Sequence, residues 1–351
     1  MVHLGQVRSY MLVAVTVADI NPPWSSPRWI DVINQGQESW KAQRHACFEN
    51  DTLEDLKVLF GAITKGEPLH ADDILDVKTP QIMPVIPEDF DSRLAWPHCA
   101  HIIGRIRDQS RCGSCWAVGS AGALNDRYCI ATGDGSTVLS ADDPLANCNS
   151  TTAGGCVNPN GGGCHGGHLE SVWNWYRDVG TVSGGFYGDT NTCAPYPFPP
   201  CHANKSYSQC NQTMATPTAF SSCLFPHQPG YAADKRRVAQ AYRVHKLPAM
   251  IQTEIMQHGP VSVAIHAYCD MADYTSGIYH HVHNKTCGGH VMRVIGWGVE
   301  DGLDYWLVAN SWSAEWGDHG FIKFRRGSDE SGIESGVVAG TFDVATNSIV
   351  V

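Results

Sequence analysis

Apolar positions recur at helical spacing through the first two thirds of the chain and alternate in the last third. Leu53, Leu56, Phe60 and Ile63 follow the start signal Asn50-Asp51-Thr52, which predicts a helix. An earlier helix is expected over about Ile30 to Gln43, with Trp29, Ile33 and Trp40 partly on one side. Two such short helices make a poor core, so they are expected to dock on the longer remainder of the chain. Lys78 to Pro87 is extended and punctuated by proline, which removes N–H donors and disfavours helix, so it reads as a linker with a boundary near residue 85.

Beyond the linker, Ala117 to Ile130 is rich in Ala, Leu and Val, and Ser114 is placed to cap that helix. A further helix is expected at His168 to Val179, where Leu169, Val172, Trp173 and Tyr176 share a face and Gly180 ends it. Residues 184–231 are loop-like, with four cysteines available to staple them. A short helix around Met250 to His258 ends at Gly259-Pro260. Val261, Val263 and Ile265 then alternate as a strand does, as do Val291, Arg293 and Ile295 in part. Tyr305 to Ala309 and Phe321 to Arg325 are further strands. Helices first and strands later predict an α+β fold of two subdomains, with helices over about 86–225 and strands over about 226–351.

Composition narrows the setting. Hydrophobic residues make up 43% and charged residues 17%, enough for a sizeable core and against disorder. The net charge is −11 with no run of Lys or Arg, which excludes nucleic acid as a partner. All fourteen cysteines but Cys47 lie between Cys99 and Cys287, several beside Gly, Pro and Asn, which reads as a disulfide framework made in a secretory compartment. Sequons at Asn50, Asn149, Asn204, Asn211 and Asn284 agree with a glycoprotein. Arg8 followed by the apolar run Tyr10 to Ala18 reads as a signal peptide over residues 1–18. No stretch reaches the roughly 20 apolar residues of a membrane span.

The chemistry centres on Gln109-Ser110-Arg111-Cys112-Gly113-Ser114-Cys115-Trp116. Cys115 falls at a helix start, where unpaired N–H groups and the macrodipole favour a thiolate, so it reads as a nucleophile. Cysteine proteolysis also needs an imidazole, a group to orient it and donors for an oxyanion. Gly288-Gly289-His290, Ala309-Asn310-Ser311-Trp312 and Gln109 offer these types.

These motifs, with the segment Gly163-Cys164-His165-Gly166-Gly167, resemble the papain-like cysteine peptidases. Within them the chain is most similar to the cathepsin B branch, through Asp91-Ser92-Arg93, Trp96 to Cys99, Ile106 to Gln109, Val182 to Gly185, Pro199-Pro200-Cys201, Ile295 to Val299 and Gly332 to Ser335. The resemblance implies a papain-like fold, a helical left half and a β-barrel-like right half around a cleft. It implies Cys115 as nucleophile, His290 as proton partner, Asn310 as orienter and Gln109 in the oxyanion hole, with Trp312 shielding the His–Asn bond. Gly166, Gly167 and Gly289 would face the substrate backbone. It further implies bridges Cys99–Cys129, Cys112–Cys164, Cys148–Cys156, Cys193–Cys223 and Cys201–Cys210. Cys269 and Cys287 have no family counterpart and either pair with each other or stay free. Residues 19–85 would be a propeptide that runs backwards through the cleft of a peptidase domain at 86–351. Protein and peptide substrates, that propeptide, cystatin-like proteins and E-64-type epoxides are the expected partners, in a lysosome-like acidic compartment or outside the cell. No metal or cofactor is expected.

Two departures bear on specificity. The branch's loop with paired histidines, which gives it dipeptidyl-carboxypeptidase action, corresponds to Cys201–Cys210; here it is shorter and keeps only His202, with its anchor Asp108. An endopeptidase with weakened exopeptidase action is therefore expected. Gly336 stands where the branch often has a glutamate in the S2 pocket, so a deeper, uncharged pocket preferring Phe or Leu over Arg at P2 is expected. The alternatives are a catalytically inactive binding protein of the same fold and a redox pair at Cys112 and Cys115. His280, His281 and His283 read as solvent-exposed rather than as a metal site.

Overall fold

The computed structural model describes residues 24, 26–63, 74–148, 155–156, 162–226 and 229–343. The expected signal peptide and the sequon at Asn149 lie outside them.

Helix α1 (Pro27–Gly36) starts at Ser26, whose hydroxyl accepts from the Arg28 N–H, and carries Pro27 in its first turn. It ends sooner than its spacing predicts. Trp40 lies instead in strand β1 (Trp40–Ala42), which pairs antiparallel with residues 274–277. Helix α2 (Leu53–Lys57) opens with a capping box between Thr52 and Asp55 and also stops early. Phe60 and Ile63 are not helical, because the backbone there bonds across the cleft. Strands β2 (Val77–Lys78) and β3 (Phe90–Asp91) come next.

Helix α3 (Cys115–Thr132) is buried along most of its length and ends at Gly133, left-handed at φ 75°. A Cβ on Gly119 would lie 2.8 Å from the Val291 carbonyl, so only glycine lets α3 approach the strand that bears His290 this closely. Helix α4 (Leu169–Asp178) packs on α3, and α5 (Pro248–His258) ends at Gly259. The remaining strands are β4 (Gln240–Val244), β5 (Val261–Tyr268), β6 (Tyr274–Tyr279), β7 (Thr286–Glu300), β8 (Leu303–Ala309), β9 (Phe321–Arg325) and β10 (Val337–Thr341).

Their order is β1-β6-β9-β8-β7-β5-β10-β4-β2, with β3 also on β7. The sheet is open rather than closed, so the right half is barrel-like only loosely. Its two ends are covered by strands of the N-terminal segment, β1 and β2, which leaves β6 and β4 without a bare edge at those places. Trp29, Ile33, Trp40, Phe48 and Leu56 of that segment are fully buried against the β half. At ~1.5–3 kcal/mol each, as an upper bound, this docking outweighs the helix propensity of α1 and α2.

The halves are tied by buried ion pairs. Arg293 of β7 donates twice to Asp126 of α3, at 2.7 and 2.5 Å. Arg127 of α3 donates to Glu254 of α5 and to the Pro260 and Gly340 carbonyls. Removing one partner would strand a buried charge, which costs about 3–5 kcal/mol.

Among the described residues, six disulfides join Cys99–Cys129, Cys112–Cys164, Cys148–Cys156, Cys193–Cys223, Cys201–Cys210 and Cys269–Cys287. Cys193–Cys223 and Cys201–Cys210 staple the long loop region. Cys47 and Cys115 are free and buried.

Candidate active site

Cys115 is the first residue of α3. Ser114 precedes it but does not cap the helix; its hydroxyl meets the Tyr196 hydroxyl at 2.8 Å, and Tyr196 in turn donates to the Gln109 carbonyl. Tyr196 is therefore a support that the sequence pattern did not single out. Its burial pushes its phenol far up and keeps it a donor.

His290 enters from β7. Asn310 Oδ1 accepts both the Ser311 N–H and His290 Nε2 at 2.8 Å, which fixes the carboxamide orientation and makes Nε2 the protonated nitrogen. His290 Nδ1 is then the free proton acceptor, buried and without a hydrogen-bond partner. The Trp312 ring covers this pair, with its centroid 5.0 Å from the imidazole. The Val291 backbone, one residue on from His290, reaches the Cys115 sulfur.

Gln109 is completely buried and held by both ends. Its Oε1 accepts from the Ser311 hydroxyl at 2.6 Å, and its Nε2 donates to the Cys112 carbonyl at 2.8 Å and the Leu59 carbonyl at 2.9 Å. Ser311 is thus a second support not foreseen from sequence, although it lies inside the Ala309 to Trp312 motif.

Leu59 to Ile63 of the N-terminal segment fill this cleft. The Ala62 N–H donates to the Gly289 carbonyl at 2.9 Å, Ile63 N–H to Gly167 O at 3.0 Å, and Gly167 N–H to Gly61 O at 2.9 Å. The bridge between Ala62 and Gly167 runs parallel. Phe60 sets its ring edge-on to both His290 and Trp312. Cys115 and His290 are consequently fully buried. Burial pushes the Cys115 thiol up to about 11, against the pull of the Val291, Gly61, Trp116 and Ala62 backbones. Burial likewise holds the His290 imidazole down at about 4, although the Asn310 bond and the Leu59 backbone favour its charged form. Under the strap both the thiol and the imidazole are therefore neutral.

His202 is buried and held by Asp108. Its Nδ1 donates to Asp108 Oδ1 at 2.7 Å, and the N–H groups of His202 and Ala203 donate to Asp108 Oδ2. Phe48 packs edge-on against both His202 and Trp312. Gly166 directly precedes the paired Gly167. Gly336 takes no part in these contacts, and a Cβ there would fall 2.2 Å from the Ala264 carbonyl. The Gly336 carbonyl accepts from the Ala264 N–H of β5 at 3.0 Å, which sets residue 336 beside that strand. The histidine turn is not an exposed loop. His283 is buried and stacked on Trp29 at 4.3 Å, and His280 Nδ1 meets the Ser39 hydroxyl at 3.0 Å. Both contacts are with the N-terminal segment.

A thiol at a helix start, an imidazole held by a carboxamide and a directed amide donor meet between two halves, under a strap from the same chain. That arrangement defines a cysteine peptidase held as a precursor. The family model for papain family cysteine proteases matches residues 86–341, and the chain belongs to that family. A cathepsin B-like cysteine proteinase of Schistosoma japonicum is 40% identical over 320 residues, 90% of each chain. Cathepsin B-like cysteine proteinase 6 of Caenorhabditis elegans is 41% identical over 325 residues, 89% of this chain and 82% of its own. The structure of proCathepsin B S9 from Trypanosoma congolense superposes with a TM-score of 0.74 at 31% identity, covering 91% of this chain and 99% of that one. The chain is accordingly a cathepsin B-like proenzyme.

Proposed function

We propose that residues 19–85 are the inhibitory propeptide and 86–351 the peptidase, which cleaves peptide bonds through Cys115 and His290 once the strap is removed. The observation that carries this reading is the Leu59 carbonyl on Gln109 Nε2, seated where a scissile carbonyl would place its oxygen. With the strap gone, water reaches the pair, and a proton can move from Cys115 Sγ to His290 Nδ1. The thiolate attacks the scissile carbonyl carbon. The negative oxygen forms beside Gln109 Nε2 and the Cys115 N–H, whose place at the start of α3 leaves it without an intrahelical acceptor. His290 then gives its proton to the leaving amine, takes one from water, and the hydroxide releases the acyl group from sulfur. Asn310 keeps Nε2 protonated throughout, so Nδ1 is always the working nitrogen.

The strap escapes cleavage because it lies the other way round. Its parallel bridge to Gly167 supports a chain direction opposite to that of a substrate, which presents its peptide bonds to the thiol in reverse. Six disulfides support a secretory route, and an acidic compartment is the setting we assign.

His202 is a single imidazole tied to Asp108, followed by Ala203, which supports endopeptidase action over carboxydipeptidase action. A peptide with a free C-terminus should be cleaved no faster than its amide; strong preference for the free acid would refute this. The lack of a carboxylate at Gly336 supports Phe or Leu over Arg at P2. Equal turnover of Phe-Arg and Arg-Arg substrates would contradict it. The whole reading is tested by Cys115→Ala, which should abolish peptide hydrolysis by the processed chain while leaving its fold intact.

A further inference from the structure

A hollow of about 420 Å³ lies in the helical half, apart from the cleft that the strap fills. Phe186, Tyr187, Tyr196, Phe198 and Pro200 wall it, together with Val118 of α3. None of its lining comes from the N-terminal segment, and Tyr187, 40% exposed, stands where the hollow meets solvent. The Tyr196 hydroxyl donates to the Gln109 carbonyl, so the hollow backs onto the oxyanion donor without entering the cleft.

Its size is that of a small-molecule site, and its lining is mostly apolar and aromatic, as the walls of such sites are. Arg107 is the exception. Its guanidinium stands 5.8 Å from the centre of the Phe186 ring, over which Arg105 lies at 3.5 Å.

Arg107 is a largely buried cation with no carboxylate of its own. Among the described residues it donates only to neutral acceptors, the Leu139 carbonyl at 3.4 and 3.3 Å and Asn125 Oδ1 at 3.3 Å, which are long hydrogen bonds. Burial pulls its guanidinium down to about 10, and the charge of Arg293 adds to that. The carboxylates nearby are engaged elsewhere. Asp126 is taken by Arg293, and Asp189, near Arg105, accepts from the Phe186 N–H at 2.7 Å. Asp108, on the wall itself, accepts from His202 Nδ1 and from the N–H groups of Ser110, His202 and Ala203. A buried guanidinium without an anion gains from one supplied from outside, because charge-assisted hydrogen bonds are about twice as strong as neutral ones.

We propose that this hollow is a second binding site, which takes a small, flat, apolar molecule ending in a carboxylate. The ligand's ring lies among Phe186, Tyr196 and Phe198, and its carboxylate pairs with Arg107. Such a site is separate from the thiol chemistry and exists whether or not the cleft works as proposed.

The test uses the full-length chain, whose cleft is already filled, with naphthoate as the probe and naphthamide as its uncharged twin. Both are titrated near neutral pH and followed by ligand-observed NMR. Naphthoate should bind about 10-fold or more tighter than naphthamide. Arg107→Met should bring that ratio near unity, and Phe198→Ala should weaken both ligands together by about 2- to 10-fold. In the processed chain, blocking Cys115 with an E-64-type epoxide should leave naphthoate binding unchanged. Absent binding, an acid no tighter than its amide, or a ratio that Arg107→Met leaves intact would each overturn the site. Binding that Phe198→Ala does not weaken, or that the epoxide abolishes, would place the ligand elsewhere and overturn it as well. Should Arg107→Met not fold, Phe198→Ala and the acid-to-amide ratio of the unchanged chain decide alone.

Discussion

Gly61 is the tightest point of the strap, and Gly61→Ala tests whether its seating is what holds the peptidase shut. A Cβ built on Gly61 would stand 1.7 Å from the Gly113 carbonyl oxygen and 2.3 Å from its carbon. Ordinary contacts lie near 3.5–4 Å, so one partner must retreat by about 2 Å. Gly113 is poorly placed to move. Its N–H is bonded to the Cys164 carbonyl at 2.9 Å, and the Cys112–Cys164 bridge closes over it. The strap must lift instead, pulling on its bonds to Gln109, Gly289 and Gly167. Losing two of these, at ~0.5–1.5 kcal/mol each, weakens closure by ~1–3 kcal/mol, or about 5- to 150-fold in the ratio of open to closed forms.

The assay is the rate at which iodoacetamide labels Cys115 in the full-length chain, read by peptide mass spectrometry. Cys47 serves as an internal control, since it is buried elsewhere under the segment and burial pushes its thiol up to about 12. Cys115 labelling should rise about 5- to 150-fold in Gly61→Ala while Cys47 labelling stays slow. A Cys115 rate within about twofold of the unchanged chain would refute the claim that close seating of the strap closes the site. Parallel acceleration at Cys47 would mean that the whole segment had come away.

Three further outcomes are expected. Because burial holds the thiol up at about 11 and the imidazole down at about 4, the full chain should lack ultraviolet thiolate absorbance between those values, and removal of the strap should produce it; equal absorbance before and after processing would contradict this. Burial also lowers His45, His280 and His283 from the ordinary 6.5, so the docked segment excludes protons that its open form takes up; docking is at full strength above that value and weakens as pH falls through it. Asp273, raised to about 6 by burial beside Arg44 and Trp29, works in the opposite sense, and His283→Phe should flatten the acid-driven rise in Cys115 labelling by at most about tenfold per pH unit; an unchanged slope would refute a role for that imidazole. Gly336→Glu should lower stability by about 1–3 kcal/mol through overlap with the Ala264 carbonyl instead of simply conferring Arg acceptance, and an unshifted thermal midpoint would contradict that packing.

The parts legible in the sequence were those whose signals are local. Helix α4 was marked by a single apolar face and a closing glycine, and β5 by alternation, and each lies within a residue or three of its expected span. The cleft residues were legible as motifs, although their meeting depends on α3 crossing β7 at Gly119. What escaped is fixed by distant partners. Trp40 reads as helical until Gly277 supplies a strand to pair with. Phe60 and Ile63 keep helical spacing, yet Gly167, Gly289 and Gln109 draw the backbone between them straight. Ser114 has the chemistry of a cap, but Tyr196 takes its hydroxyl. Likewise, nothing near His280 to His283 announces that Trp29 and Ser39 will cover them.

The central claim is that one sulfur, activated by one imidazole, does the chemistry. Treating the processed chain with an E-64-type epoxide and locating the adduct tests it most directly. The expected result is a single label on Cys115, absent in Cys115→Ala, slowed strongly in His290→Ala, and indifferent to Cys47→Ser. Labelling that settles on Cys47, or that proceeds at Cys115 equally fast without the His290 imidazole, would contradict it.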